Sequence, residues 1–386
     1  MSNSYMITNR QDVNGTSSSN TQPLPDGELW FYLSTAGPND TNVADYSLTP
    51  DAGGQASVSP PADFLADLQA DLNATVTNNT AQLSIFIHGL ANSFAQGIYD
   101  TGTIGAGLAQ AGSGGLVIGF SWPSYGLLDS IFDYKGVREN INDSLESFSS
   151  LLAMVQTLSA GLASGVNLNL SLICHSEGNY MLMQGMNYLS SNPLSSWQNI
   201  NNTLMLAADI NDAALQVPNG QYVGTGAAIS QLSDQVTIYY SINDPDLAFS
   251  TVVYVKYHNP DYSGRLGMIG PHSFATGALE TNTYGVDCSQ VVCLSNVSYL
   301  ENNGIIPPNV SEHSSYLYIP QILTDLTQTM NGTAPGDVVN RESLDAPDSQ
   351  SYEMEVDNAD SGEFQAVQAD VRAKNASLRP RPGSPG

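Results

Sequence analysis

The sequence predicts an α/β fold, with one mostly parallel central sheet covered by helices on both faces. Three observations lead there. Short runs rich in Val, Ile, Leu and aromatics alternate with stretches of helical period from residue 29 to about 332. The 386-residue chain is 41% hydrophobic, enough apolar material to build a sizeable core. The segment 167–182, NLNLSLICHSEGNYML, reads as a buried strand that turns abruptly into a helix.

In chain order, the strand candidates are Tyr5–Thr8, Leu29–Leu33, Leu83–Ile87, Leu116–Trp122, Val166–Ile173, Thr203–Ala208, Gln235–Tyr240 and Val286–Val292. The clearest helix spans 135–160, where Val137, Ile141, Leu145, Phe148, Leu152 and Val155 recur at spacings of four and three. Other helices are predicted near Ser93, just after Ser176, and over Tyr316–Leu326. Residues 1–28 form an N-terminal strand and linker, and 29–332 the α/β domain. Residues 333–386, rich in Pro, Asp, Glu, Ser and Ala without an apolar period, read as a disordered tail.

The formal charge of −27 comes from a shortage of Lys and Arg, since only 12% of residues are charged against a usual share of about 25%. Before residue 333 there are 27 acidic residues against five basic ones: Arg10, Lys135, Arg138, Lys256 and Arg265. Nucleic acid and anionic lipid are therefore excluded as expected partners, and an anionic substrate would be repelled. Three cysteines do not make a disulfide framework, and Cys288 and Cys293 lack a histidine at zinc-ligand spacing, so no metal is expected. No stretch reaches membrane-spanning length, and the N-terminus lacks an apolar leader core. A cytoplasmic location is the expectation. The glycines of 102–107 resemble a phosphate loop, but no Lys-Ser/Thr follows, so they read as close helix packing.

In such folds ligands meet the carboxyl ends of the strands. One strand ends in Cys174-His175-Ser176-Glu177-Gly178, the strand–turn–helix context in which a serine is presented as a nucleophile. The turn needs small residues two before and two after the serine, and Cys174 and Gly178 meet that need. A nucleophilic serine also requires a base, an orienting acid and donors for an oxyanion. His313, after the last strand and before the last helix, is the candidate base, with His272 the alternative. His258 reads as solvent-facing, and His175 as pointing away from Ser176. Asp244 is the candidate acid, with Asp209 next and Asp246 third. His88-Gly89 ends another core strand, so the amides of Leu90 and Glu177 are assigned to the oxyanion hole and His88 to shaping that loop.

Taken together, the chain resembles the α/β-hydrolase superfamily, and above all a bacterial branch of hydrolases of unknown function. The resemblance runs from Tyr5 to about Asn331. Its landmarks are Thr8-Asn9-Arg10, His88-Gly89-Leu90-Ala91-Asn92, Phe120-Ser121-Trp122-Pro123-Ser124, His175-Ser176-Glu177-Gly178-Asn179, Tyr239 to Asp244, Arg265-Leu266-Gly267 and His313-Ser314-Ser315-Tyr316. In that family the serine is usually followed by Met, where this chain has Glu177. The resemblance implies the α/β-hydrolase fold, a Ser176–His313–Asp244 triad and no cofactor. The expected activity is hydrolysis of a neutral carboxylic ester. Thioesterase, acyltransferase and amidase chemistry share the same triad, and a non-catalytic scaffold is the alternative from another class. Segments 211–234 and 245–285 are long enough to wall a pocket.

Overall fold

The computed structural model describes residues 4–11, 22–34, 48–50, 56–124, 134–195, 200–222, 224–257, 264–275, 277–344 and 350–354. The strands are β1 (Ser4–Thr8), β2 (Trp30–Ser34), β3 (Leu48–Pro50), β4 (Thr80–Ile87), β5 (Leu116–Ser121), β6 (Asn167–His175), β7 (Ile200–Leu206), β8 (Ser233–Tyr240), β9 (Thr283–Asp287), β10 (Arg341–Ser343) and β11 (Ser351–Met354). The helices are α1 (Ala62–Ala74), α2 (Phe94–Gln110), α3 (Tyr134–Asp143), α4 (Leu145–Ala160), α5 (Gly178–Ser191), α6 (Ala227–Gln231), α7 (Pro245–Tyr257), α8 (Leu266–Ile269), α9 (Leu294–Asn302) and α10 (Pro320–Met330). Among the described residues none is long and apolar enough to cross a membrane.

All eleven strands join one sheet in the order β10-β11-β9-β8-β7-β6-β4-β5-β1-β2-β3. Pairing from β11 through β1 is parallel, and only the β10–β11, β1–β2 and β2–β3 pairs are antiparallel. The central strands are buried continuously over Leu83–Ile87 and Leu170–His175, as a sheet covered on both faces requires. Their side chains alternate between two apolar layers. Ile85, Ile87 and Leu172 pack with α1, α3, α4 and α5, whereas Phe86 and Ile173 pack with α2, α9 and α10. Ile87 lies opposite both Cys174 and Phe120, and Leu206 lies opposite both His175 and Tyr239. Register thus brings the ends of β4, β5, β6, β7 and β8 to one edge.

Several sequence expectations need correction. The predicted helix 135–160 is two helices broken at Ser144. The Ser144 hydroxyl donates to the Asn140 carbonyl at 2.6 Å and accepts from Asn9 Nδ2 at 2.7 Å, which bends the chain while keeping Val137, Ile141, Phe148, Leu152 and Val155 buried. The predicted helix Tyr316–Leu326 is a 3₁₀ turn over Ser315–Leu317 followed by α10. Pro320 opens α10, where its missing N–H costs nothing, and forces Ile319 into extended backbone (ψ 120). The predicted strand Val286–Val292 stops at Asp287, whose Oδ1 accepts from the Ser289 amide at 2.9 Å and turns the chain. The glycines of 102–107 lie inside α2, and Gly107 meets Leu323 of α10.

The expected boundary at residue 332 is also corrected. Residues 341–343 and 351–354 add β10 and β11 to the sheet, with β11 parallel to β9. Arg341 anchors them through Nε to Asp325 Oδ2 and Nη2 to Asp325 Oδ1, both at 2.6 Å, and Tyr239 donates to the same Oδ1 at 2.6 Å. Strands of three and four residues carry too little apolar pattern to be read in a polar sequence. The linker residues 12–21, His258, and the remainder of the expected tail from 355 lie outside the described residues.

Candidate active site

Ser176 stands directly after β6 with φ at +55, a left-handed conformation rare for a residue with a side chain. The surroundings hold it there. The Ser176 amide donates to the Leu206 carbonyl at 3.0 Å, and the Asp209 amide donates to the Ser176 carbonyl at 3.2 Å. Asn179 Nδ2 lies 3.1 Å from the carbonyls of Cys174, Ser176 and Leu206, stitching the turn to β7. A Cβ on Gly178 would sit 2.5 Å from the Ile87 carbonyl oxygen and 2.6 Å from that of His88, so only glycine lets α5 start this close to β4.

His313 Nδ1 lies 2.7 Å from Asp244 Oδ2. A carboxylate accepts, so Nδ1 carries a proton, and Nε2 is the nitrogen with the lone pair whenever the ring is neutral. Burial alone would lower the imidazole pKa, but the charge of Asp244 and the hydrogen bond to it, helped by Asp246 and Asp209, raise it to about 9. Asp244 also caps α7, its Oδ1 accepting from the amides of Asp246 at 3.1 Å and Leu247 at 3.0 Å. Both carboxylate oxygens are thus fixed. The structure brings His175 in as well. Its Nε2 donates to the His313 carbonyl at 2.9 Å, and the two rings lie 4.8 Å apart. A residue read as pointing away from Ser176 therefore supports the His313 segment, a contact between positions 138 apart that sequence does not carry. No hydrogen bond reaches the Ser176 hydroxyl among the described residues. The serine–histidine bond in unliganded enzymes is often long and tightens on substrate binding.

The turn after β4 packs on the elbow: a Cβ on Gly89 would be 2.7 Å from Ser176 Cβ and 3.2 Å from its Oγ. Ala91 there has φ at +64. The amides of Leu90 and Glu177 donate to no partner among the described residues, while the next amide, of Ala91, is bound to the Ser124 carbonyl at 3.2 Å. Two unpaired donors beside a serine are what a developing oxyanion needs. His88 does not reach the base position. Its Nδ1 lies 2.9 Å from the Gly89 carbonyl, its Nε2 lies 3.0 Å from Ser121 Oγ, and it stacks on Trp122.

The Glu177 side chain turns into a buried cluster. Arg138 Nε donates to its Oε1 at 2.8 Å, and Tyr134 Oη lies 2.9 Å from its Oε2 and 3.0 Å from Asp209 Oδ2. Arg265 pairs with Asp209 at 2.9 Å, and Ser250 donates to Asp209 at 2.7 Å. Burial pushes the Glu177 pKa up, Arg138 pulls it down and Asp209 pushes it up, leaving it at about 7. Burial would raise Asp209 too, but Arg265 and Arg138 hold it below its ordinary value. Asp209 is thus occupied away from His313. Asp246 is exposed in the first turn of α7, and half-exposed His272 pairs with Asp212 at 3.1 Å. Among the described residues no group of three or more His, Cys, Asp or Glu side chains is placed to hold a metal ion.

Residues 65–323 match the model of a family described as alpha/beta hydrolase of unknown function (DUF900). No curated protein matches the chain. Among solved structures, the crystal structure of polyneuridine aldehyde esterase is similar at 12% identity over 65% of this chain and 99% of that one, with a TM-score of 0.25.

Proposed function

The chain belongs to this family of alpha/beta hydrolases, and from that premise we propose that it is a serine hydrolase acting on a carboxylic ester. The observation that carries the reading is His313 bonded through Nδ1 to Asp244, on the sheet edge where Ser176 sits in a strained turn. Ser176 Oγ attacks the ester carbonyl while His313 Nε2 takes its proton. Asp244 holds the imidazole tautomer and offsets the positive charge that forms. The amides of Leu90 and Glu177 hold the oxyanion. On collapse His313 returns the proton to the leaving alcohol, and water then releases the acid from the acyl-serine by the same steps.

A neutral substrate fits the placement of the cations. Arg10 is buried, Arg138 and Arg265 are engaged with Glu177 and Asp209, and Lys135 pairs with Glu139 on the surface at 3.3 Å. The three arginines are therefore committed before a phosphate or carboxylate on the substrate arrives. The test is turnover of a panel of p-nitrophenyl esters, with a fluorophosphonate probe mapped to its site of attachment. Ser176→Ala should abolish both turnover and labelling. Full activity in that variant would sink the mechanism.

A further inference from the structure

Arg10 is 1% exposed, yet no carboxylate lies within 4 Å of its guanidinium among the described residues. A buried cation without an anion is costly, so its surroundings need a reason. Its contacts lead to the turn after β4. Nη2 donates to the Asn92 carbonyl at 2.7 Å and faces His88 Nε2 at 3.4 Å and Ser124 Oγ at 3.5 Å. Nε donates to Ser121 Oγ at 3.0 Å.

The directions of these bonds follow from the chemistry of the groups. The Gly89 carbonyl only accepts, so His88 Nδ1 carries a proton and donates to it. Burial, with the positive charge of Arg10, holds the His88 pKa down to about 3, so the ring is neutral and Nε2 is an acceptor. Ser121 Oγ, which accepts from Arg10 Nε, therefore directs its own proton to His88 Nε2. The chain runs one way: Arg10 N–H to Ser121, Ser121 O–H to His88, His88 N–H to the Gly89 C=O. That carbonyl belongs to the same peptide unit as the Leu90 N–H. The peptide is trans, so the C=O and N–H bonds point in opposite directions while their dipoles align, and the N–H emerges on the side away from His88.

We propose that Arg10, Ser121 and His88 form a positioning relay that polarises the Gly89–Leu90 peptide and so strengthens the Leu90 amide as an oxyanion donor. Withdrawing electron density at the carbonyl oxygen makes the amide hydrogen more positive, and aligned hydrogen bonds reinforce one another in a low-dielectric interior. The charge of Arg10, with no carboxylate within 4 Å among the described residues, adds to this polarisation. No proton moves; each stays on its heavy atom. The inference rests on the serine-hydrolase reading above and adds to it the source of the hole's strength.

The test compares the native enzyme with Ser121→Ala, Arg10→Lys and Arg10→Met. kcat and KM are measured on p-nitrophenyl butyrate. The carbonyl stretch of the acyl-enzyme is measured by isotope-edited infrared spectroscopy, which reports hydrogen bonding to that oxygen. Removing a whole oxyanion donor costs roughly 10²–10³ in kcat. Weakening one should cost about tenfold in Ser121→Ala and up to about a hundredfold in Arg10→Met, with KM within about twofold. Arg10→Lys, which keeps the charge but loses the fork, should fall between them. The acyl carbonyl band should move to higher frequency in step with the loss of kcat. Should Arg10→Met fail to fold, Ser121→Ala decides alone, because it leaves the charge and the Asn92 contact in place. Unchanged kcat in Ser121→Ala, or lost kcat with an unmoved band, overturns the relay. A native protein that neither turns over esters nor forms an acyl-enzyme overturns the hydrolase reading itself.

Discussion

Replacing Asp244 by Asn tests the site at its firmest contact. The Asp244 carboxylate outweighs the effect of burial and pushes the His313 imidazole pKa up to about 9. A general base must be neutral to accept the Ser176 proton. At pH 7 about one molecule in a hundred has neutral His313, and at pH 8 about one in ten, since each pH unit below the pKa is a factor of ten. Native kcat/KM should therefore climb about tenfold from pH 7 to 8 and level off above 9. In Asp244→Asn the strongest raising charge is gone while burial and the weaker pull of Asp246 and Asp209 remain, so the pKa should fall from about 9 toward or below the ordinary 6.5. The profile should then be flat above neutrality, with a plateau lower by roughly 10³–10⁴ because Asn no longer enforces the tautomer. Initial rates on p-nitrophenyl butyrate from pH 5.5 to 10, corrected for spontaneous hydrolysis, measure both effects. The same group links pH to stability. Its folded pKa is raised above the unfolded one, so its contribution is complete below about 6.5 and is lost as pH rises through 9. Its size is about 3 kcal/mol at 1.36 kcal/mol per unit. The drop in Tm from pH 6 to 10 should be smaller in the variant. A variant that retains the native midpoint would refute the assignment of Asp244 and His313 as a working pair.

Other consequences follow from contacts nearby. Gly178→Ala should cost about 2–3 kcal/mol in urea unfolding, and lower kcat sharply, because two backbone carbonyls cannot yield to its Cβ. Arg138→Leu removes the charge that favours ionised Glu177, so the buried carboxyl takes up a proton and loses its strongest donor, and the change should cost roughly 1–3 kcal/mol. The double variant Arg138→Leu/Glu177→Met should recover part of that loss, and additive losses in the double-mutant cycle would deny the coupling. Arg341→Met strands the buried Asp325 carboxylate and should also cost roughly 3–5 kcal/mol. An unchanged urea midpoint there would mean that the C-terminal strands do not stabilise the fold.

What could be read without coordinates was what repeats locally. The parallel strands announce themselves as apolar runs, and residues 174–178 carry the spacing that a strained elbow requires. The aspartate that ends a strand before Pro245 was legible as a turn residue and as the candidate acid, and it makes both sets of contacts. Corrections came where one side chain or one proline overrode a period, as at Ser144 and Pro320. Only the tertiary structure decided partners far apart in the chain. It put Asp244 rather than Asp209 against His313, because Arg265 and Ser250 hold Asp209 elsewhere. It turned the Glu177 side chain away from its own amide into an ion pair with Arg138. It placed Arg10 behind His88, 78 residues on, and Arg341 on Asp325. Periodicity and turn chemistry are properties of neighbours in sequence, so residue order determines them. The partner of a buried charge depends on which strands stand side by side, and on which opposite charge is left to meet it once the sheet has formed.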